Sequence, residues 1–216
     1  IKRNVVEILF LGMLTFGGFL DYLTQTAYAL SFSLEIDAVL MGSLLILLFY
    51  CIVFLIDVPF SLFKQFVIEE RYGFNKMTFR LWLTDLAKNT ALSGILIFPI
   101  IYLILLLITN RMEIGELWWV LLWTLVVLLS VSFMIIFPLI IAPIFNKFSP
   151  IENGLLKERL EKLLTRCKFK SKGLFTMDGS KRSSHGNAYF AGIGGAKRIV
   201  LFDTLIEKLN EREIEA

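Results

Sequence analysis

Histidine and cysteine are scarce in this chain. One histidine, His185, and two cysteines, Cys51 and Cys167, stand among 216 residues. A zinc site takes three or four ligands from His, Cys, Asp and Glu at compatible spacing, and H-E-x-x-H, H-x-x-E-H and C-x-x-C are all missing. The G-x-S-x-G elbow and the phosphate-binding glycine loop are missing too. Cys51 lies in an apolar run and Cys167 in a basic segment, which excludes a disulfide framework and suits reduced, cytosol-facing thiols. A Ser/His/Asp arrangement drawn from Ser183, Ser184, His185 and Asp203 fails, because side chains so close in sequence diverge. As it stands, the sequence holds no complete catalytic constellation. The net charge of +3 is what membrane topology rules produce, and it gives no reason to expect a nucleic-acid partner.

What the chain has in excess is apolar residues, 56% of the total, and these are gathered into runs as a bilayer requires. Four stretches qualify: residues 5–20, which carry Glu7, residues 38–56 and 91–109, both uncharged, and residues 117–145, with Pro138 and Pro143 near the end. About 20 residues cross the hydrocarbon core, so the fourth is too long for one straight span and its prolines predict a break. Basic residues alternate with the runs. Lys2 and Arg3 precede the first, residues 21–37 have neither Lys nor Arg, and Lys64, Arg71, Lys76, Arg80 and Lys88 fill the next connection. Only Arg111 follows the third run, and Lys and Arg are plentiful after the fourth. This is the positive-inside pattern for four spans, with residues 57–90 and 146–216 cytosolic and Trp118 and Trp119 at an interface. Glu7 is the one charge inside a proposed span, which leaves a transporter with little to build on.

Composition changes at Asn146, giving a division into a transmembrane region, residues 1–145, and a soluble α+β portion, residues 146–216. Ser149, Pro150 and Glu152 are spaced as a helix start, with Leu156, Leu160, Leu163 and Leu164 on one face of the helix that follows. Strands are predicted over Gly173–Met177, residues 187–193 and Arg198–Phe202, with a hairpin turn at Gly192, Gly194 and Gly195. Asp203 or Thr204 caps a short helix to Leu209. Asn210 followed by Glu213 predicts a further capped helix from Glu211. That helix leads to the expectation that the natural chain continues past Ala216, as the opening Ile1 does for a preceding piece.

The string VPFSLFKQFVIEERYGFNKMTFRLWLTDLAK, from Val58, carries Phe66, Ile68, Glu69, Gly73, Phe74, Asn75 and Thr78. IAPIFNKFSPIENG begins at Ile141, DGSKRSSHGNAYFAG at Asp178 and KRIVLFDTLI at Lys197. Four blocks in this order resemble the type I CAAX prenyl proteases, integral-membrane zinc endopeptidases of the a-factor-converting type. The resemblance covers residues 58–216, while the first two spans match in hydrophobic pattern alone. Gly186 departs from it, standing where a serine is common.

The resemblance implies a mostly α-helical polytopic membrane protein, about four spans here, with a cytosolic α+β portion of a gluzincin-type protease domain. Its membrane would be the endoplasmic reticulum or a bacterial inner membrane. The implied cofactor is zinc, its H-E-x-x-H helix following the E-x-E-A stretch of Glu213, Glu215 and Ala216, so this stretch alone would be inactive. Partners would be membrane lipid and a peptide or prenylated protein substrate, held along an edge strand by Asn187, Ala188, Tyr189 and Phe190, with His185 nearby. Glu69, Asn75, Asp85 and Lys88 would form a network packing the connection 57–90, and Lys181 and Arg182 could meet substrate carboxylates. The alternative is a catalytically inactive membrane scaffold or lipid-binding protein of the same ancestry.

Overall fold

The computed structural model describes residues 2–192 and 197–215; the predicted turn residues Gly194 and Gly195, and Ala216, lie outside them. Three long apolar helical stretches dominate. The first is α3 (Ala38–Phe63), which starts where the Asp37 carboxylate accepts the Leu40 N–H at 3.0 Å and runs on through a π-helical turn, Lys64–Glu69. The second is α4 (Phe79–Thr109), opened by Thr78 Oγ1 accepting the Leu81 N–H at 3.2 Å. The third is α6 (Trp118–Ile136), continued by a π turn, Phe137–Ile141, and by α7 (Ala142–Phe145). A four-residue helix, α5 (Arg111–Ile114), stands between the second and third. At 28 to 32 residues and 1.5 Å per residue, each stretch is longer than a hydrocarbon core of about 30 Å. Their apolar side chains point outward, with Ile95 70% and Leu55 66% exposed, as suits helices solvated by lipid.

Four sequence expectations change. Residues 21–37 are not a loop: after α1 (Lys2–Phe16) the chain bends by 59° and continues as α2 (Phe19–Leu34). Gly18, at φ +69, makes the bend. Thr24 and Thr26 masked this helix in the sequence, yet each returns its hydroxyl to a carbonyl four residues back, at 3.0 and 2.7 Å, and so hides its polarity. The two helices together count as one broken span, which gives three or four candidate spans among the described residues. The connection 57–90 is mostly helical, since α3 and its π turn reach Glu69 and α4 begins at Phe79. Pro138 produces a π turn in place of a break: proline removes one ladder bond, and a wider turn absorbs the loss.

The fourth change lies at Ser149. Phe148–Pro150 forms strand β1, not a helix start. Ile151 explains the outcome: its N–H bonds to the Leu174 carbonyl at 3.0 Å and its side chain is buried with Leu160, Leu174 and Leu201. Burial of that side chain outweighs a local cap, and proline is tolerated on an edge strand. Helix α8 (Leu155–Arg166) begins only after the extended Gly154.

The sheet adds β2 (Gly173–Met177), β3 (Ala188–Ala191) and β4 (Arg198–Phe202). Its order is β1-β2-β4-β3, with β2 parallel to β4 and the outer pairs antiparallel. Leu156, Leu160 and Leu164 of α8 pack on one face, as their spacing predicts. After β4 come α9 (Asp203–Lys208) and α10 (Glu211–Glu215). Asn210 Oδ1 accepts the N–H groups of Arg212 and Glu213, and Glu213 answers by accepting the Asn210 N–H at 2.8 Å. This is the capping box that the sequence predicts. Arg159 of α8 meets Glu215 at 2.9 Å, which fixes α10 against it. By backbone contacts the chain divides into two compact units, residues 1–67 with 86–124, and residues 68–85 with 125–216.

Candidate functional site: an open strand edge

In the second unit, β3 lies at the margin of the sheet and pairs only with β4. Its backbone orientation follows from one bond: the Phe202 N–H donates to the Asn187 carbonyl at 2.9 Å. Asn187 thus faces β4. The two-residue alternation of an antiparallel ladder then turns the backbone groups of Ala188 and Phe190 toward the open side. Asn187 Oδ1 accepts the Ala188 N–H at 2.9 Å, a local cover over an otherwise unpaired donor.

The side chains alternate as well. Ala188 and Phe190 are exposed, Phe190 to 68%, while Tyr189 and Ala191 are half-buried. Tyr189 stands edge-on to Phe202, ring centroids 6.3 Å apart, with its hydroxyl 3.9 Å from Met177 sulfur. Burial pushes its phenol above the ordinary tyrosine range. Phe190 meets Phe169 edge-on at 6.0 Å.

The segment leading into β3 is tightly held. Arg182 Nε and Nη2 bind the Asp85 carboxylate at 2.8 and 3.1 Å. Its remaining donors reach Asn146 Oδ1 and the Phe145 carbonyl, both at 2.7 Å. Residues 182–184 lie antiparallel to residues 74–76, through Lys76 N–H to Arg182 O, Ser184 N–H to Phe74 O, and a bridge between Asn75 and Ser183. His185 stacks on Phe74 at 4.0 Å, and its Nε2 lies 3.1 Å from Glu69 Oε2. Its carbonyl accepts the buried Thr204 hydroxyl at 2.8 Å. A Cβ on Gly186 would lie 3.3 Å from the Leu205 Cα, so glycine here lets α9 approach where a serine would crowd it.

These contacts sort the sequence candidates. Asn187, Ala188, Tyr189 and Phe190 fall together on the open edge. His185 is occupied by Glu69 and Phe74. Glu69 and Asp85 do hold the 57–90 connection, pairing with His185 and Arg182. Lys181 is paired with Asp178, so neither it nor Arg182 is left for a substrate carboxylate. Asp203 serves Ser180 and Thr204 through its carboxylate, not His185, and α9 takes Phe202 as its cap residue instead. The hub role of Arg182 went unread, because its partners lie 36, 37 and 97 residues away. Among the described residues, no group of three or more His, Cys, Asp or Glu is placed to hold a metal ion.

The fold and the open edge define a multi-pass helical membrane protein carrying a small mixed sheet with one unpaired strand. Residues 1–147 match the family described as CAAX prenyl protease N-terminal, five membrane helices, and residues 150–216 match peptidase family M48. The chain belongs to this family of CAAX prenyl proteases, M48 metallopeptidases that imply a metal cofactor. Similar curated proteins include CAAX prenyl protease 1 homolog of Arabidopsis thaliana, 48% identical over 74% of this chain and 37% of the relative. CAAX prenyl protease 1 of Saccharomyces cerevisiae is 45% identical over 75% and 35%. The crystal structure of S. mikatae Ste24p superposes with a TM-score of 0.82 at 36% identity, covering 95% of this chain and 47% of that one. The chain spans about a third of the length of the curated relatives it matches.

Proposed function

We propose that this chain forms the membrane region and the substrate-holding sheet of a membrane-embedded zinc metalloendopeptidase acting on peptides or prenylated C-A-A-X proteins. The single observation that carries the reading is the outward backbone of Ala188 and Phe190 on β3. An extended peptide adding to that edge gains main-chain hydrogen bonds, and its side chains lie beside Ala188 and Phe190 in turn. A substrate carbonyl arriving at the Ala188 N–H displaces Asn187 Oδ1, whose amide then turns to the peptide. His185 acts through position: its bonds to Glu69 and Thr204 set where β3 begins. In this reading the zinc ligands lie outside the described residues, and the 216 residues alone cleave nothing when zinc is added.

The division at residue 145 and the cytosolic side of residues 57–90 and 146–216 belong to the same proposal, supported by the basic connections. The membrane is the endoplasmic reticulum or a bacterial inner membrane. Binding of a fluorescent extended peptide to the chain in nanodiscs tests the edge. Saturable binding is expected, lost when alternate peptide nitrogens are methylated. Phe190→Pro removes an outward donor and leaves the β4 ladder its bonds, so it should weaken binding while the far-UV spectrum stays unchanged. Equal affinity for the methylated peptide would sink the proposal.

A further inference from the structure

The stretch between α8 and β2 is the most strongly charged part of the protein. From Leu155 to Phe175, seven Lys and Arg stand against two carboxylates, Glu158 and Glu161. That excess is larger than the +3 of the whole chain, so the remainder is slightly acidic. Among the described residues, none of Lys162, Arg166, Lys168, Lys170 and Lys172 forms an ion pair. The opening function of the edge strand makes no use of them.

Their arrangement is ordered. Residues 168–172 alternate in exposure: Lys168, Lys170 and Lys172 are exposed, while Phe169 and Ser171 are half-buried. An extended backbone does this, with side chains two apart on the same side and about 7 Å between them. Lys168 adopts φ +52 to start the run, a left-handed turn that a lysine seldom takes. Phe169 holds the run down, meeting Phe190 on one side and the Lys197 ammonium at 4.8 Å on the other. The result is a comb of three ammonium groups along the rim of an open groove of about 1150 Å³, with Leu164 and Leu174 among its lining residues.

The groove stays near the bilayer. Pro150, another of its lining residues, is five residues after Phe145, where the third long apolar stretch ends. Five residues of chain reach at most about 18 Å. A cluster of cations this close to the end of a span feels the potential of anionic lipid, which decays over about 10 Å in 0.1 M salt.

We propose that Lys168, Lys170 and Lys172 form a binding surface for the anionic headgroups of the bilayer in which the chain is embedded. The groove supplies apolar lining beside the comb, and the cations select charge. The surface tethers the sheet to the membrane independently of the open strand edge, so it stands whether or not that edge takes a peptide.

The exposed thiol of Cys167 gives a reporter beside the comb. The chain carrying Cys51→Ser is labelled there with a donor dye and placed in phosphatidylcholine nanodiscs containing 20 per cent phosphatidylserine, roughly the anionic share needed to set a surface potential. Energy transfer is read to trace acceptor-labelled phosphatidylserine and, separately, to acceptor-labelled phosphatidylcholine. The serine lipid should be enriched about threefold or more near the dye. Lys168→Gln/Lys170→Gln/Lys172→Gln should bring the ratio close to one. Lys64→Gln/Lys76→Gln/Arg80→Gln removes as many charges elsewhere and should leave the ratio unchanged. A ratio equal in the wild type and the comb variant would overturn the proposal, as would an equal fall in the control variant, which marks diffuse charge only. A soluble polyglutamate peptide or inositol hexakisphosphate that abolishes the enrichment at micromolar concentration would also overturn it, assigning the comb to a soluble polyanion.

Discussion

Arg182 clasps Asp85 from 97 residues away, its guanidinium meeting both carboxylate oxygens at 2.8 and 3.1 Å. Both side chains are largely buried, at 22% and 16% exposure, and the same guanidinium also holds the Phe145 carbonyl and Asn146. Such a fork needs planar, fixed donors, which lysine does not have. Arg182→Lys should therefore destabilise the second unit by about 2 kcal/mol, and Arg182→Ala by about 3–5 kcal/mol, since it leaves Asp85 without its charge partner. Limited proteolysis across residues 178–187 reads the effect; unchanged cleavage rates in both variants would show the clasp to be dispensable.

Gly179 should resist any side chain. A Cβ placed there would lie 2.7 Å from a ring carbon of Phe202, and the ring is itself packed edge-on against Tyr189. Gly179→Ala is expected to cost about 1–3 kcal/mol through overpacking. Phe202→Leu in the same background should recover part of the loss, measured as a shift in the thermal midpoint.

Asn210→Ala removes the acceptor for two helix N–H groups. The expected cost is about 1 kcal/mol, and it should be local. Amide exchange at Arg212 and Glu213 should speed up while the β4 amides keep their protection. Protection unchanged at both positions would mean that α10 is held by Ile214 and the Arg159–Glu215 pair alone.

Tyr189 sets a limit at high pH. Burial raises its phenol above the ordinary value of 10.0, so the unfolded chain releases this proton before the folded one does. The associated stability is complete below pH 10 and is lost as pH climbs through the folded value. Denaturation midpoints followed between about pH 9 and 11.5 should fall more steeply in the native sequence than in Tyr189→Phe. Parallel curves would assign the loss to other groups.

Much of this architecture can be read in one dimension because its signals are local. Apolar runs mark the long helices, Asn210 and Glu213 mark the cap of α10, and β-rich strings with turn residues mark β2, β3 and β4. The misreadings share a cause. Ser149 and Pro150 look like a helix start until Ile151 is seen to bury against Leu160 and Leu201. Thr24 and Thr26 look like loop residues until their hydroxyls bond back into the helix. The open edge was legible as residues but not as geometry. Which backbone groups face outward depends on the pairing of Asn187 with Phe202, and no local pattern encodes that register. Arg182 is the extreme case, a lone basic residue in a turn whose role exists only once three distant segments converge.

The π turn at Phe137–Ile141 makes the end of the last long helix sensitive to counting. A π turn holds one residue more than an α turn, so deleting a single residue there would allow an ordinary helix to close. Everything beyond it would then swing by about 100° around the axis. The Phe145 carbonyl would leave the Arg182 guanidinium, and with it would go the angle at which the chain exits toward β1. One surplus residue in an apolar run thus sets the heading of the polypeptide as it leaves the lipid.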